Sequence, residues 1–204
     1  MASCCDDNCG VNAQLTRQRK TLVLVLSINS AMFVVELAAG LYANSLALLA
    51  DSLDMLGDAL VYGFSLYVIA KTERLKALSA LGKGVIMAIS GLFVLGQAGY
   101  RIAVPTLPLP ETMGAVGVLA LAANGLCLAM LWRHRGDDIN MHSVWVCSRN
   151  DIIANVSVLG AAVAVGFSGS AWPDIAVGIA LSLLFFRSSL QVCLRARTNL
   201  LGST

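Results

Sequence analysis

Apolar residues run along this chain in six long stretches: Thr21 to Tyr42, Leu46 to Ala70, Leu78 to Tyr100, Thr112 to Trp132, Ser143 to Phe167 and Ile175 to Leu194. At a rise of about 1.5 Å per residue, each is long enough to cross roughly 30 Å of hydrocarbon as a helix. The breaks between them are short. A tight turn is expected at Ala43 to Ser45, and proline and glycine break the helical pattern in the links Pro105 to Glu111 and Phe167 to Asp174. The predicted fold class is therefore an all-α membrane protein of six transmembrane helices.

Composition agrees: 57% of residues are hydrophobic, 13% are charged and the mean hydropathy is +0.76, which excludes an ordinary soluble domain. Charge then sets the expected orientation. Arg17, Arg19 and Lys20 precede the first stretch; Lys71, Arg74, Lys76 and Lys83 flank the second loop; Arg133 and Arg135 lie in the fourth; Arg187, Arg195 and Arg197 close the sixth. The alternate loops carry only Arg101. This asymmetry predicts that both termini are cytoplasmic, with the plasma membrane, a bacterial inner membrane, as the expected location. The net charge of +2 serves topology and implies no nucleic-acid partner. The first 20 residues are polar and lack a signal-peptide pattern. The expected organisation is a tail over 1–20, a transport domain over 21–197 and a short tail over 198–204. A reduced cytoplasmic tail holds Cys4, Cys5 and Cys9, so no disulfide framework is expected.

The chemistry lies in the second stretch, where Asp51, Asp54 and Asp58 occur with no basic residue among them. Offsets of three and seven place all three within about 60° of arc on one helix face. Such a face has to meet protein, water or a bound cation, because an aspartate at mid-bilayer costs roughly 3 kcal/mol. The fifth stretch offers the complement, with Cys147, Asp151 and Asn155 at successive four-residue spacings. Helices 2 and 5 run antiparallel, and counting residues puts Asp54 about 13 Å and Asp151 about 14 Å from opposite surfaces, so the two meet near the midplane. Asp58 and Cys147 match in depth one turn further on. Asp54, Asp58, Cys147 and Asp151 thus form a predicted four-ligand cage of the kind a tetrahedral divalent metal takes. Three carboxylates and a thiolate are too negative for an empty apolar site, so without metal some hold protons, which metal binding releases.

Helix 2 (SLALLADSLDMLGD) and helix 5 (CSRNDIIAN), with Glu36 and Gly40 in helix 1 and the Trp172-Pro173-Asp174 run opening helix 6, resemble the cation diffusion facilitator family over about Thr21 to Arg197. The resemblance implies six helices, a homodimer, and export of Zn²⁺ or a related divalent cation against H⁺. It also implies a transport site made of two [HD]xxxD pairs, which match Asp54 and Asp58 and then Cys147 and Asp151. Asp51 matches an acidic position one turn before the first pair. Two features depart from the pattern. Cys147 stands where His or Asp is usual, which favours Zn²⁺ or Cd²⁺ over Mn²⁺ or Mg²⁺. The cytoplasmic C-terminal domain that many members carry is not expected in the ten residues after Leu194.

Several residues stay open at this level. Asp51 suits either a transport role or an interhelical hydrogen bond. Glu36 and Asn29 share a face of helix 1 and suit a proton relay, an access vestibule or a helix-fastening bond. Asn155 suits an outer ligand or a bond between helices. Cys4, Cys5 and Cys9 suit transient capture of thiophilic metal or a plain tail. Cys127 and Cys193, lacking an acidic residue four positions away, are read as packing, and Arg149, offset by two from Cys147 and Asp151, points away from the site. No phosphate-binding glycine loop occurs, so ATP drive is not expected, nor any resident cofactor. The expected function is divalent-metal export by proton antiport. The rival is an intramembrane aspartyl enzyme, whose paired carboxyls share a proton.

Overall fold

The computed structural model describes the backbone of residues 4–68, 73–133 and 139–201; the side chains of 4–16, 73–81, 139–144 and 191–201, and that of Cys147, are among those outside the described set. Six helices make up the described residues: α1 (Cys4–Tyr42), α2 (Leu46–Val68), α3 (Glu73–Ala103), α4 (Pro110–Trp132), α5 (Ile139–Ser168) and α6 (Trp172–Leu201). The chain is all-α. Most helices outrun the apolar stretches that seed them. α1 begins at Cys4 rather than Thr21, because the polar run ahead of Thr21 has no proline and only Gly10 to weaken a helix. The polar segment anticipated as a tail is thus an extension of the first helix.

Length and composition together qualify Arg19–Tyr42, Pro110–Trp132 and Asp151–Ser168 as membrane spans among the described residues. α2 falls short by composition alone, since every 18-residue stretch within its 23 residues contains Asp51, Asp54 and Asp58. α3 and α6, at 31 and 30 residues, have more than the required length. The polarity of the bundle is that of a protein in lipid. Large apolar side chains such as Ile89, Leu92, Val118, Val163 and Leu184 are exposed, while Asn29, Glu36, Asp51, Asp58, Asn124, Asp151 and Asn155 are buried.

α2 is the central element, touching α1, α3, α5 and α6. Its start is fixed from three directions. The α1–α2 turn closes through Ala43 N donating to Ala39 O (2.7 Å) and Ser45 N to Gly40 O (3.0 Å), with Asn44 at φ 51°, a left-handed conformation that asparagine tolerates. Ser45 Oγ accepts from Leu48 N (3.1 Å) as a helix N-cap. Asp174, from the first turn of α6, then accepts from Leu46 N (2.7 Å), Ala47 N (3.0 Å) and Ser45 Oγ (2.6 Å). Leu49 N reaches Ser45 O at 3.3 Å, so all the N–H groups that a helix start leaves unpaired are satisfied. A carboxylate at this end also meets the positive pole of the α2 dipole.

Arg101, at the end of α3 just beyond its apolar run, completes the junction. Its guanidinium lies 3.6 Å from Asp174 and donates to Asn44 O. Burial pulls the Arg101 pKa below its ordinary value, and the charge of Asp174 opposes that shift. α6 sits so close to α2 that a Cβ on Gly178 would lie 2.6 Å from Leu46 Cγ. Leu109 N donates to Ala43 O (3.0 Å), which brings the start of α4 to the same end. The starts of α2, α4 and α6 therefore gather at one end, the loop end, and α1 begins and α6 finishes at the other.

Because Asp174 and Arg101 are both buried, removing one strands the other. Asp174→Ala is expected to cost about 3–5 kcal/mol of stability, read as a lower unfolding midpoint in detergent, and Asp174→Asn, which keeps an acceptor for the α2 start, less. Equal midpoints for wild type and Asp174→Ala would contradict this role.

Candidate metal centre

The three aspartates of α2 do not end up in equivalent places. Asp54 and Asp58, one turn apart, face α5, where Asp151 meets them: one carboxylate oxygen from each of the three lies within 4.8 Å of the other two. Asp58 and Asp151 are buried and Asp54 is half-buried. Oxygens around a tetrahedral zinc at about 2.1 Å stand about 3.4 Å apart, so small side-chain rotations bring this triad to metal-binding spacing. A second hydrogen-bonding group fixes one member. Tyr62, fully buried and one turn after Asp58, donates its hydroxyl to Asp58 Oδ2 at 3.0 Å.

Cys147 is in α5 one turn before Asp151 by its backbone, while its side chain lies outside the described residues. The side chains of Cys4, Cys5 and Cys9, in the first turns of α1, and of Cys193 lie outside them too. Asn155 Nδ2 donates to the backbone oxygen of Asp151 at 2.7 Å, a bond within α5, and its own Oδ1 has no donor among the described residues. Arg149 is exposed, with its guanidinium 5.6 Å from the centre of the Trp145 ring. Trp145 in turn packs edge-on against Trp132 of α4, ring centres 5.8 Å apart.

Asp51 and Glu36 make a second layer. Both are fully buried, and none of their four carboxylate oxygens has a hydrogen-bond partner among the described residues. Their proximity follows from the α1–α2 hairpin. A Cβ on Gly40 would touch Leu49 N at 3.0 Å, so one turn further along each antiparallel helix Glu36 comes level with residue 53. Glu36 accordingly lies within electrostatic reach of both Asp51 and Asp54. These acids sit beside the triad without belonging to it.

Three residues near the triad, Tyr62, Cys127 and Asn124, were not among the residues assigned to the site from the sequence. Cys127 of α4 lies within electrostatic reach of Asp58, and Asn29 Nδ2 is 4.0 Å from its sulfur as well as 3.0 Å from Val25 O. Asn124, one turn before Cys127 on the buried face of α4, has its Nδ2 at 3.9 Å from Met55 Sδ. Tyr62 follows Asp58 by four, and that spacing was the one available signal. For Cys127 and Asn124 no signal existed within α4, since their neighbours come from α1 and α2. A separate cavity of about 320 Å³ opens at the loop end, lined by residues that include Arg101, Thr106, Leu107 and Trp172 and by none of the carboxylates above.

Known proteins are similar to this chain in sequence. The cation efflux transmembrane domain matches residues 22–201. The chain is 24% identical over 194 residues to the metal cation efflux system protein CzcD of Cupriavidus metallidurans, covering 86% of this chain and 61% of that protein. It is 24% identical over 198 residues to a cadmium, cobalt and zinc/H(+)-K(+) antiporter of Bacillus subtilis, covering 90% and 63%. It is also 25% identical over 185 residues to the zinc transporter ZitB of Escherichia coli, covering 83% and 58%. The chain thus spans about three fifths of the length of these curated relatives. With nearly all of its helical portion inside the matched region, the chain belongs to the cation efflux family.

Proposed function

We propose that this chain exports a divalent transition metal, Zn²⁺ foremost with Cd²⁺ and Co²⁺ as close alternatives, from the cytoplasm in exchange for H⁺. The observation that carries the reading is the convergence of Asp54, Asp58 and Asp151 from two helices in the interior of an apolar bundle. Anionic oxygens so close together repel one another unless protons or a cation lie between them. The relatives named for cadmium, cobalt and zinc, and for zinc alone, support the same class of cargo.

In this proposal Asp54, Asp58 and Asp151 are ligands and Cys147 is the fourth. A thiolate among carboxylates suits Zn²⁺ and Cd²⁺, whereas an oxygen-only set suits Mn²⁺ or Mg²⁺. Arrival of the metal displaces protons from the acidic residues, and protons entering from the opposite side displace the metal, so one set of groups couples two gradients. Glu36 and Asp51, whose oxygens have no hydrogen-bond partner among the described residues, extend the proton-holding capacity next to the ligands. Both termini face the cytoplasm in a bacterial inner membrane, the working unit is a homodimer, and Cys4, Cys5 and Cys9 concentrate thiophilic metal at the start of α1. The aspartyl-enzyme alternative has no support: it calls for two carboxyls sharing a proton, and here three meet, two of them from the same helix.

Reconstituted in liposomes with a trapped pH dye, the wild-type protein is expected to move protons when Zn²⁺ is supplied. Asp54→Ala and Asp151→Ala are each expected to reduce that flux to the level of empty liposomes. Unchanged flux in both variants would sink the ligand assignment. Cys147→His is expected to keep Zn²⁺ flux while lowering the Cd²⁺ to Zn²⁺ ratio about tenfold, measured as initial rates in the same vesicles.

A further inference from the structure

Tyr62 bonds directly to a carboxylate of the triad. It follows Asp58 by one turn of α2, and because side chains on a helix lean towards its N-terminus, the phenol lies back over that carboxylate. Its hydroxyl donates to Asp58 Oδ2 at 3.0 Å, and the residue is fully buried. The ring belongs to an apolar cluster with Leu22 and Val25 of α1 and Cys127 and Leu131 of α4, so neighbours from two other helices fix where the hydroxyl stands. We propose that Tyr62 is a positioning residue that sets the metal selectivity of the triad. By holding Asp58 Oδ2 it makes Asp58 a one-oxygen ligand, which keeps the site four-coordinate and favours Zn²⁺ over cations that need a larger shell, such as Mn²⁺.

A buried phenol calls for an acceptor, and the plainest account of the bond is that Asp58 supplies one. Two features carry it further. The bond lies within α2, so it fastens no helix to another. The partners also differ in freedom. The Tyr62 ring is gripped by packed side chains, whereas an aspartate carboxylate turns about a broad terminal torsion. Of the two, the ring is the fixed member and the carboxylate is the one oriented.

Orientation matters because a carboxylate binds a metal through one oxygen or through both. One atom each from Asp54, Asp58, Asp151 and Cys147 makes the four ligands of a tetrahedral Zn²⁺ site. An octahedral cation such as Mn²⁺ needs more oxygens than that, and a carboxylate that chelates with both of its own supplies one of them. For Asp58 to chelate, Oδ2 has to swing off the Tyr62 hydroxyl and towards the metal. Outer hydrogen bonds of this kind orient metal ligands and tune what they bind. The inference rests on the metal-site reading above and adds to it the group that decides how Asp58 ligates.

The test is Co²⁺ binding to the purified full chain in detergent, because tetrahedral Co²⁺ absorbs visible light far more strongly than octahedral Co²⁺. Each spectrum is taken as the difference from the same protein carrying Asp54→Ala, which subtracts Co²⁺ held by cysteines elsewhere in the chain. Wild type is expected to show the intense tetrahedral band. Tyr62→Phe, which keeps the ring and its packing, is expected to bind Co²⁺ with a weaker band per bound ion. Displacement of Co²⁺ by Zn²⁺ and, separately, by Mn²⁺ then gives the preference between the two, which Tyr62→Phe is expected to lower about tenfold, chiefly by weakening Zn²⁺. An equal loss of affinity for both metals with an unchanged band is what a purely structural role gives, and it would overturn the proposal. So would a Tyr62→Phe protein that matches wild type in both band and preference. A wild type with no band removes the metal reading itself and this inference with it, so the two failures are told apart.

Discussion

The structure depends on one electrostatic constraint: α2 carries three carboxylates through the middle of a bundle whose outside is apolar. Ionised groups in such surroundings need protein partners, protons or a cation. That requirement accounts for the central position of α2, which packs against α1, α3, α5 and α6 and reaches α4 through Met55. It also accounts for the inward turn of polar groups from α1, α4 and α5, which would be wasteful in lipid. The carboxylates that find a carboxylate opposite are Asp54 and Asp58, and the negative charge left over is what makes a cation the natural occupant.

The two ends of α2 are held differently. At the loop end Asp174 and Ser45 satisfy the free N–H groups of the first turn of α2, and Arg101, paired with Asp174 and bonded to Asn44 O, ties this start to α3 and α6. Gly178 lets α6 close on Leu46, so the junction is packed as well as bonded. Any motion that opens the triad towards that end has to break buried charge-assisted bonds or carry α2, α3 and α6 together as one body. The second course is the less costly, because each of those bonds is buried and made to a charge. Moving one rigid group of helices against another is also the general way in which a midplane site is exposed to alternate sides.

Much of this was legible in the amino-acid pattern, for physical reasons that also mark where legibility ends. Apolar runs show helices, and charge spacing on one helix shows a face, so the six helices and the acidic stripe of α2 could be read directly. The pairing of Asp54 with Asp151 could be anticipated because depth in a bilayer is a ruler that two antiparallel helices share. Contacts between helices of unknown neighbourhood have no such ruler. Cys127 was readable as packing, and it does pack with Leu22, Val25, Tyr62 and Leu131, but its polar neighbours, Asn29 and Asp58, belong to α1 and α2 and left no trace in α4. Asp174 could be noticed as part of a motif, but its bonds to Leu46 and Ala47 join residues more than 120 positions apart. The helical extension of α1 to Cys4 was hidden because polar residues permit a helix without demanding one.

The claim at the centre is that a divalent cation sits between α2 and α5. Crystals of the protein grown with Zn²⁺ and measured at the zinc absorption edge test it by anomalous scattering. The account predicts a peak among the carboxylates of Asp54, Asp58 and Asp151, on the side facing Cys147. Anomalous density confined to other parts of the chain, with that space empty at saturating Zn²⁺, would contradict it.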